Sequence, residues 1–497
     1  MALFHEAVHS PEMAAAVDYF LRGARDKHHE SHTGFSSLDQ AIKVLDADFW
    51  QMAFSATDLN DHMPENRRRE WREAIDSRSV PAFELETVVT TLKELLLERD
   101  KFLAERVEGI FRALSGEHVT NVPEGFSKRM IMYIGDRYTS VTLSAAGHIA
   151  DLRHVIAHFM GNLPPGRYDT DVMLTRCAKY PGVWNEIDGG ALRVKTFKKG
   201  TAHMEIHPDF AWRLNQILAF LHPRAIPPKF RKRPEKKTES FSRTMNLIPT
   251  DVRSAIGKME QKAIMKGDDV RRHRIGWEPG VFELRYRFSM DKHVVEKVVQ
   301  VLEACGGEHL GHGEFFFPYD FNEIKDHLVI HGTIPDQKAH QYYATPHALA
   351  ERMVHWADID DHHTCLEPSA GQGNIACLMP GHVKAIEVSE LHCKILRKKG
   401  VTNVMCEDFL AWVKGAPLVQ RVVMNPPFSQ GRAEAHISAA AGLLEKNGIL
   451  VALVPASIRN KKEIPGFVYE WEEVKREDFA GVSIDMALVK MTRREYA

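Results

Sequence analysis

The chain has 497 residues, 44% of them apolar and 27% charged, with 65 basic and 67 acidic side chains for a formal net charge of −2. That length predicts two or three domains and room for a sizeable core. The charge balance excludes a polycation, so any nucleic-acid site must come from local segregation of charge. No stretch approaches the roughly 18 apolar residues of a membrane span, and Met1-Ala2-Leu3-Phe4-His5-Glu6 has neither a basic start nor an apolar run. No secretion signal and no membrane partner are expected, and a cytoplasmic location follows. The six cysteines, Cys177, Cys305, Cys365, Cys377, Cys393 and Cys406, contain no C-x-x-C pair. Buried free thiols are expected ahead of a zinc site or disulfides.

Residues 1 to about 115 read as mainly helical. Ile42, Leu45, Phe49 and Met52 form the stripe of a core-facing surface helix over Asp39 to Met52. Arg67-Arg68-Arg69 and Arg72 make one basic face, read as solvated or as a phosphate contact. Phe83 to Leu114 is strongly periodic and predicts a long helix or a helix pair, packed on itself or on a second subunit, so a homodimer is a candidate assembly. Residues 142 to 160 predict another helix. Ala191 to Phe197 and Ala202 to His207 alternate with period two around Lys198-Lys199-Gly200, a β-hairpin with a basic tip.

Residues 222–239 have linker composition, Pro-rich and basic, with Arg231, Lys232, Arg233, Lys236 and Lys237. With Lys198 and Lys199 these are the candidate nucleic-acid contacts. Positive charge continues through Lys258, Lys262, Lys266, Arg271, Arg272 and Arg274. Trp277 to Met290 alternates as a strand, with Phe282, Leu284, Tyr286 and Phe288 on one face, and leads to a helix over Val294 to Ala304. Residues 240–314 are assigned to a small α+β connecting element.

Chemistry is concentrated after residue 340. Asp360-Asp361-His362-His363 looks metal-like, but adjacent loop residues rarely converge on one ion, so a solvated loop is expected. A short apolar strand at Cys365-Leu366 runs into Glu367-Pro368-Ser369-Ala370-Gly371-Gln372-Gly373-Asn374. Glycines there let backbone approach a ligand, and the N-terminus of the helix expected to follow supplies free N–H groups. The next strand, Val383 to Ile386, ends at Glu387, where an acid is placed to accept from two ribose hydroxyls. A third strand, Asn403 to Cys406, runs into Glu407-Asp408-Phe409, with Asp408 placed to accept from an adenine amine and Phe409 to lie against its ring. A fourth, Val422-Val423-Met424, stops at Asn425-Pro426-Pro427-Phe428. The prolines stiffen that turn and remove two N–H donors while keeping their carbonyls. An amide, a free carbonyl and a flat ring in that space can grip a planar substrate with an exocyclic amine.

The four strand tips resemble the motif series of class I S-adenosylmethionine-dependent methyltransferases, and Asn425-Pro426-Pro427-Phe428 resembles the catalytic motif of the amino-methyltransferases. Tyr343-Ala344-Thr345-Pro346 is similar to the Thr-Pro element of the gamma-type DNA adenine-N6 enzymes. NAD-dependent dehydrogenases share the acid at the second strand tip but not the Thr-Pro element or the tetrad. The hairpin at Lys198-Lys199 is similar to one in an uncharacterised domain often fused to phage and mobile-element methyltransferases. The resemblance implies a Rossmann-like α/β domain over 315–497, with a mostly parallel seven-stranded sheet whose last strand is antiparallel, behind a mainly helical α+β domain over 1–221. It implies S-adenosylmethionine held by Tyr343, Thr345, Pro346, Glu367, Pro368, Ser369, Ala370, Gly371, Gly373, Glu387, Val388, Asp408 and Phe409. It implies catalysis by Asn425, Pro426, Pro427 and Phe428, on adenine flipped from double-stranded DNA, with no metal, in an orphan enzyme that protects DNA from restriction. Only 69 residues (429–497) follow Phe428, too few for the recognition domain many such enzymes carry there. Competing expectations are an RNA-base or protein-glutamine N-methyltransferase, or a non-enzymatic anti-restriction protein on the same fold. His436 is given no catalytic role.

Overall fold

The computed structural model describes residues 38–494 except 58, 60–62, 115, 117, 119, 128, 136–140, 234–245, 267–272, 286–289, 335–342, 429–430, 462 and 476–483. Lys236, Lys237, Arg271, Arg272, Tyr286 and Phe288 therefore lie outside the described residues. The chain divides into two compact units, Met1–Glu186 with Gly190–Phe241, and Ile187–Gly189 with Ser242–Ala497.

In the first unit the described helices are α1 (Leu38–Ser55), α2 (Glu65–Asp76), α3 (Leu85–Leu97), α4 (Arg99–Arg112), α5 (Leu143–Met160), α6 (Arg167–Ala178) and α7 (Pro208–Leu221). The periodic stretch after Phe83 is thus a helix pair, broken at Glu98. α3 buries Leu95 but leaves Leu85, Val89, Leu96 and Leu97 exposed. α5 starts where the Thr142 side chain accepts from Ala145 N and stops at Gly161, whose φ of 68° is the left-handed conformation that ends helices. Four strands, β1 (Arg129–Tyr133), β2 (Asn185–Ile187), β3 (Leu192–Phe197) and β4 (Thr201–Ile206), form a sheet in the order β1-β4-β3-β2. The expected hairpin is β3–β4, in register from Leu192 opposite Ile206 to Phe197 opposite Thr201. Its turn needs Gly200: φ is +83°, and a Cβ there would sit 1.7 Å from the Gly135 carbonyl oxygen.

The basic face of α2 is neither solvated as a whole nor free for phosphate. Glu65 and Asp151 are buried, at 1% and 2% exposure, and buried carboxylates need cations. Arg68 Nη2 lies 2.8 Å from Asp151 Oδ1, Arg72 Nη2 2.6 Å from Glu65 Oε1, and Arg106 Nε 3.1 Å from Asp151 Oδ1. The Glu65 N–H donates to Asp151 Oδ2 at 2.7 Å. Burial pushes the Asp151 carboxyl up, against the pull of Arg106 and Arg68.

The second unit opens with β5 (Asn246–Leu247), α8 (Thr250–Gly257), β6 (Glu260–Lys266), β7 (His273–Glu283), α9 (Lys292–Ala304), β8 (Glu308–Gly311), β9 (Glu314–Phe316), α10 (Asn322–His331) and β10 (Thr333–Ile334). The strand expected from Trp277 starts earlier, at His273, and pairs with β6 and β9. A domain boundary at 314/315 would cut β9, and Phe315 is fully buried beside Phe282, Phe317 and Phe321. Leu391 and Ile395 belong to the same apolar cluster. The connecting element therefore shares its core with the large domain and is not a separate body.

Next come α11 (His347–Trp356), β11 (Thr364–Pro368), β12 (His382–Glu387), α12 (Glu390–Lys398), β13 (Asn403–Cys406), α13 (Phe409–Trp412), β14 (Val419–Met424), α14 (Arg432–Gly442), β15 (Leu444–Pro455), β16 (Phe467–Val474) and β17 (Met486–Arg493). The sheet order is β13-β12-β11-β14-β15-β17-β16. β11 to β15 pair in parallel, and β17 runs antiparallel to both β15 and β16. Along these strands Leu366, Ile386, Val422, Leu450 and Ala452 join one apolar cluster, and Cys365, Ala385, Val423, Val451 and Leu453 the other. Strands buried on both faces by that alternation define a Rossmann-like α/β fold. The chain leaves β11 toward β12 on one side and β14 toward β15 on the other, so a crevice opens between the carboxyl ends of β11 and β14. Among the described residues no helix is long and apolar enough to cross a membrane.

Candidate active site

The carboxyl ends of β11, β12, β13 and β14 meet at a pocket of about 290 Å³. β14 buries Val422, Val423 and Met424 completely and ends at Met424, just before Asn425, because Pro426 and Pro427 lack the N–H that would extend the ladder. Asn425 Nδ2 donates to the Tyr343 carbonyl oxygen at 3.0 Å and to Thr345 Oγ1 at 3.1 Å. A carbonyl oxygen can only accept, so the atom facing it is the amide nitrogen. Among the described residues Asn425 Oδ1 has no hydrogen-bond partner, and it is buried in a residue that lines the pocket. Pro427 also lines it, whereas Pro426 is buried behind the wall. Phe428 stacks on Tyr343, with ring centroids 6.0 Å apart at 21°, and is not part of the lining.

The Thr-Pro element is tied to the glycine turn by a second amide. Asn374 Nδ2 donates to the Thr345 carbonyl at 2.8 Å, so Thr345, at 4% exposure, holds both Asn374 and Asn425. Tyr343 and Thr345 line the pocket; Pro346 caps α11 and does not. In the turn itself Ser369 and Ala370 line the pocket, while Pro368, Gly371 and Gly373 shape the backbone behind it. Gly373 has φ +82°, and a Cβ there would come 2.6 Å from Leu396 Cδ2.

Two glutamates that face this turn are shifted in opposite directions. Glu387 Oε2 accepts from Gly371 N at 2.8 Å and Oε1 from Ser389 N at 2.7 Å, with His392 Nδ1 3.8 Å away. Burial pushes its carboxyl up, but His392 and the two N–H groups outweigh that and hold it below the ordinary value. Glu367 is 2% exposed and accepts from Ala376 N at 2.6 Å. Burial pushes it well above the ordinary value of 4.5, and Glu387 adds to the rise. A carboxyl raised on folding leaves stability intact below its unfolded pKa and lowers it as pH climbs from there toward the folded pKa. Glu367→Gln removes that loss. The melting-temperature gap between Glu367→Gln and the wild type should therefore widen from pH 4.5 upward in a thermal-unfolding series. A constant gap would mean the carboxyl is not raised.

At the β13 tip Asp408 caps α13, with Oδ1 accepting from Ala411 N at 3.1 Å, and lines the pocket from an exposed position. Val388 reaches the pocket at 56% exposure, an apolar side chain left open at its lip. Phe409 is buried in the wall.

His436 is not the bland helix-start residue expected. It is 5% exposed, lines the pocket, sits 5.2 Å from the Phe409 ring and places Nδ1 3.3 Å from Ser369 Oγ. Burial pushes its pKa down to about 4, so the ring is neutral at pH 7. The signal was in the sequence: Ala433, His436, Ile437, Ala440 and Ala441 form one buried stripe of α14. Ile386, His392, Glu407 and Arg432 are further lining residues that the motifs did not assign.

The metal-like loop closes on itself, with Asp360 N donating to His363 Nδ1 at 3.0 Å. A different group, His327, His331 and Glu390, brings ligand-type atoms within 4.8 Å of one another. Lys394 Nζ already lies among them, 3.1 Å from His327 Nδ1 and 3.2 Å from Glu390 Oε1. In the first unit Lys198, Lys199, Lys232 and Arg233 are exposed, and Arg233 pairs with Asp209 at 3.4 Å. Arg231 instead donates to the carbonyls of Pro223 and Ile226, holding its own loop.

Residues 42–223 match a family model described as a domain of unknown function, DUF4942. No curated protein matches the chain. Among solved structures, part of the chain is similar to a precorrin-6y C5,15-methyltransferase from Geobacter metallireducens, at 18% identity over 31% of this chain and 93% of that one, TM-score 0.26. It is similar to a putative RNA methyltransferase from Pyrococcus horikoshii at 20% identity over 31% and 87%, TM-score 0.27. A putative class I S-adenosylmethionine-dependent methyltransferase from Listeria monocytogenes is similar at 11% identity over 42% and 70%, TM-score 0.28.

Proposed function

We propose that the second unit is an S-adenosylmethionine-dependent methyltransferase acting on the exocyclic N6 of adenine in DNA. The observation that carries this reading is Asn425, whose Nδ2 is held by Tyr343 and Thr345 while its buried Oδ1 has no partner among the described residues. A buried acceptor without a donor is costly, and a substrate N–H satisfies it.

The pocket's donor set fits the cofactor. Glu387, fixed by two backbone N–H groups, keeps lone pairs for ribose hydroxyls. Asp408 accepts from the cofactor's adenine amine, and Val388 and Phe409 flank its ring. Tyr343, Thr345 and Glu367 line the remaining wall, left for the methionine end. His436, neutral at pH 7, adds no opposing charge. When bound, the cofactor supplies an electrophilic methyl group on a positively charged sulfur.

The chain's own residues orient the nucleophile. An adenine amine donates its lone pair into the ring and reacts poorly. Asn425 Oδ1 accepts from one of its two N–H bonds, which favours a pyramidal nitrogen with a localised lone pair. In a duplex the base must leave the stack to reach it.

Incubating the protein with methyl-labelled cofactor and separate DNA, RNA and protein fractions tests the assignment. Label recovered as N6-methyldeoxyadenosine supports it; label confined to RNA or to glutamine moves the substrate, and no transfer to any fraction sinks the reading. Glu387→Ala removes the ribose acceptor and strands two N–H groups. Hydrogen bonds to charged groups contribute roughly 1.5–3 kcal/mol, so cofactor affinity should fall about 10- to 100-fold in calorimetric titration. Unchanged affinity would show that the cofactor does not sit at the β12 tip.

A further inference from the structure

We propose that the solvent-facing side of the four-stranded sheet in the first unit binds a single-stranded nucleic acid, through backbone phosphates and unpaired bases. This goes beyond the methyl-transfer reading and does not rest on it.

The sheet has one buried side and one partly exposed side, on which Ile131 and Thr201 are still covered, at 4% and 7% exposure. In β3, Leu192, Val194 and Thr196 point to the core, and Arg193, Lys195 and Phe197 alternate outward. In β4, His203 and Glu205 share that outward side, opposite Lys195 and Arg193. Arg129 and Tyr133 stand at the exposed ends of β1, Tyr133 at 50% exposure.

Three cations gather on one indole there. Arg129, Arg193 and Lys195 lie 5.5, 5.2 and 5.5 Å from the Trp184 ring centre. Glu205 partly balances them, 2.6 Å from Arg129 and 3.3 Å from Arg193, and Glu186 is 3.9 Å from Arg193. Lys198 and Lys199 extend the charge at the hairpin tip. Among the described residues of this side, five cations therefore meet two carboxylates. The field reaches His203: burial lowers its pKa, and Arg129, Lys199 and Lys195 lower it further.

Like charges held together in the open repel one another unless a polyanion joins them. Aromatic rings set among those charges narrow the choice of polyanion. Lys195 Nζ lies 5.4 Å from the Phe197 ring centre, and Phe197 is 4.4 Å from the His203 ring. A sheet face bearing cations and rings offers phosphates a counter-charge and unpaired bases a stacking surface. A duplex hides its base faces and would use the cations alone.

Fluorescence anisotropy of the full-length protein with labelled 20-nucleotide oligo(dT), oligo(U) and a duplex of equal length tests this across a salt series. The expected result is tighter binding of a single strand than of the duplex, the two oligomers identifying the sugar. Tyr133→Ala should weaken single-strand binding roughly 5- to 150-fold, the range expected for one stacked base, with little change in salt slope. The double variant Lys198→Ala/Lys199→Ala, at an exposed turn, should flatten the log–log salt slope by about 0.7 for each phosphate released. Folding of each variant is checked by its melting temperature. Equal affinity for duplex and single strand with no effect of Tyr133→Ala would overturn the proposal and leave plain polyanion adhesion. So would unchanged slope and affinity in the lysine variant, or no binding to either oligomer.

Discussion

Asn425→Ala is expected to lower methyl transfer by roughly 100- to 1,000-fold, the usual cost of losing one oriented hydrogen-bonding group at a reacting centre. Cofactor affinity should stay within a few-fold, because the residues assigned to its ribose and adenine, Glu387, Asp408, Val388 and Phe409, sit on other strand tips. The split between rate and binding follows from how the side chain is held. Nδ2 is tied to Tyr343 and Thr345, so its part in the structure is to hold the Oδ1 acceptor in place. Asn425→Asp is instructive beside it. Asp keeps an acceptor oxygen but cannot donate to the Tyr343 carbonyl, and it places a negative charge against that oxygen, so a large loss is expected there too. Single-turnover rates with saturating cofactor read both variants. A variant of Asn425 that keeps half its rate would remove the residue from the mechanism.

Asp151→Ala should destabilise the first unit by about 3–5 kcal/mol, the cost of breaking a buried ion pair from one side. Arg106, 2% exposed, would lose its carboxylate at 3.1 Å, and Arg68 its partner at 2.8 Å. The Glu65 N–H would also lose its acceptor. Equilibrium urea unfolding followed by a probe in the first unit measures this, and a change below about 1 kcal/mol, the scale of a surface pair, would mean the network is solvated rather than buried.

The second unit was legible because its strands obey a simple rule. Val422 to Met424 and Ile449 to Val454 are buried on both faces, so their apolar runs and polar tips can be read without neighbours. The order of those tips then carries Glu367, Glu387, Asp408 and Asn425 to one crevice. The role of Tyr343 was harder to read, because its contribution is a backbone carbonyl 82 residues from Asn425. Phe428 was expected against a substrate base, yet its ring rests on Tyr343; a motif fixes residue types and not side-chain direction.

The first unit resisted for a related reason. Arg68 and Arg72 look like a free basic face on their own helix, and one of the acids that claims them, Asp151, lies 83 residues from Arg68. The Lys198-Lys199 hairpin was visible through its alternation, but Trp184 carries no local pattern, and the cations it collects come from two strands. The boundary at 314/315 failed because the chain turns polar at Gly311 to Glu314 while Phe315 remains fully buried in the core.

The most direct test of the central claim is expression in a bacterial host free of DNA methylation, followed by base-modification sequencing of its DNA. N6-methyladenine that appears with the wild-type protein and vanishes with Asn425→Ala is the predicted result, and its sequence context would give the target. Unmodified DNA under wild-type expression, or equal modification by both proteins, would contradict the account.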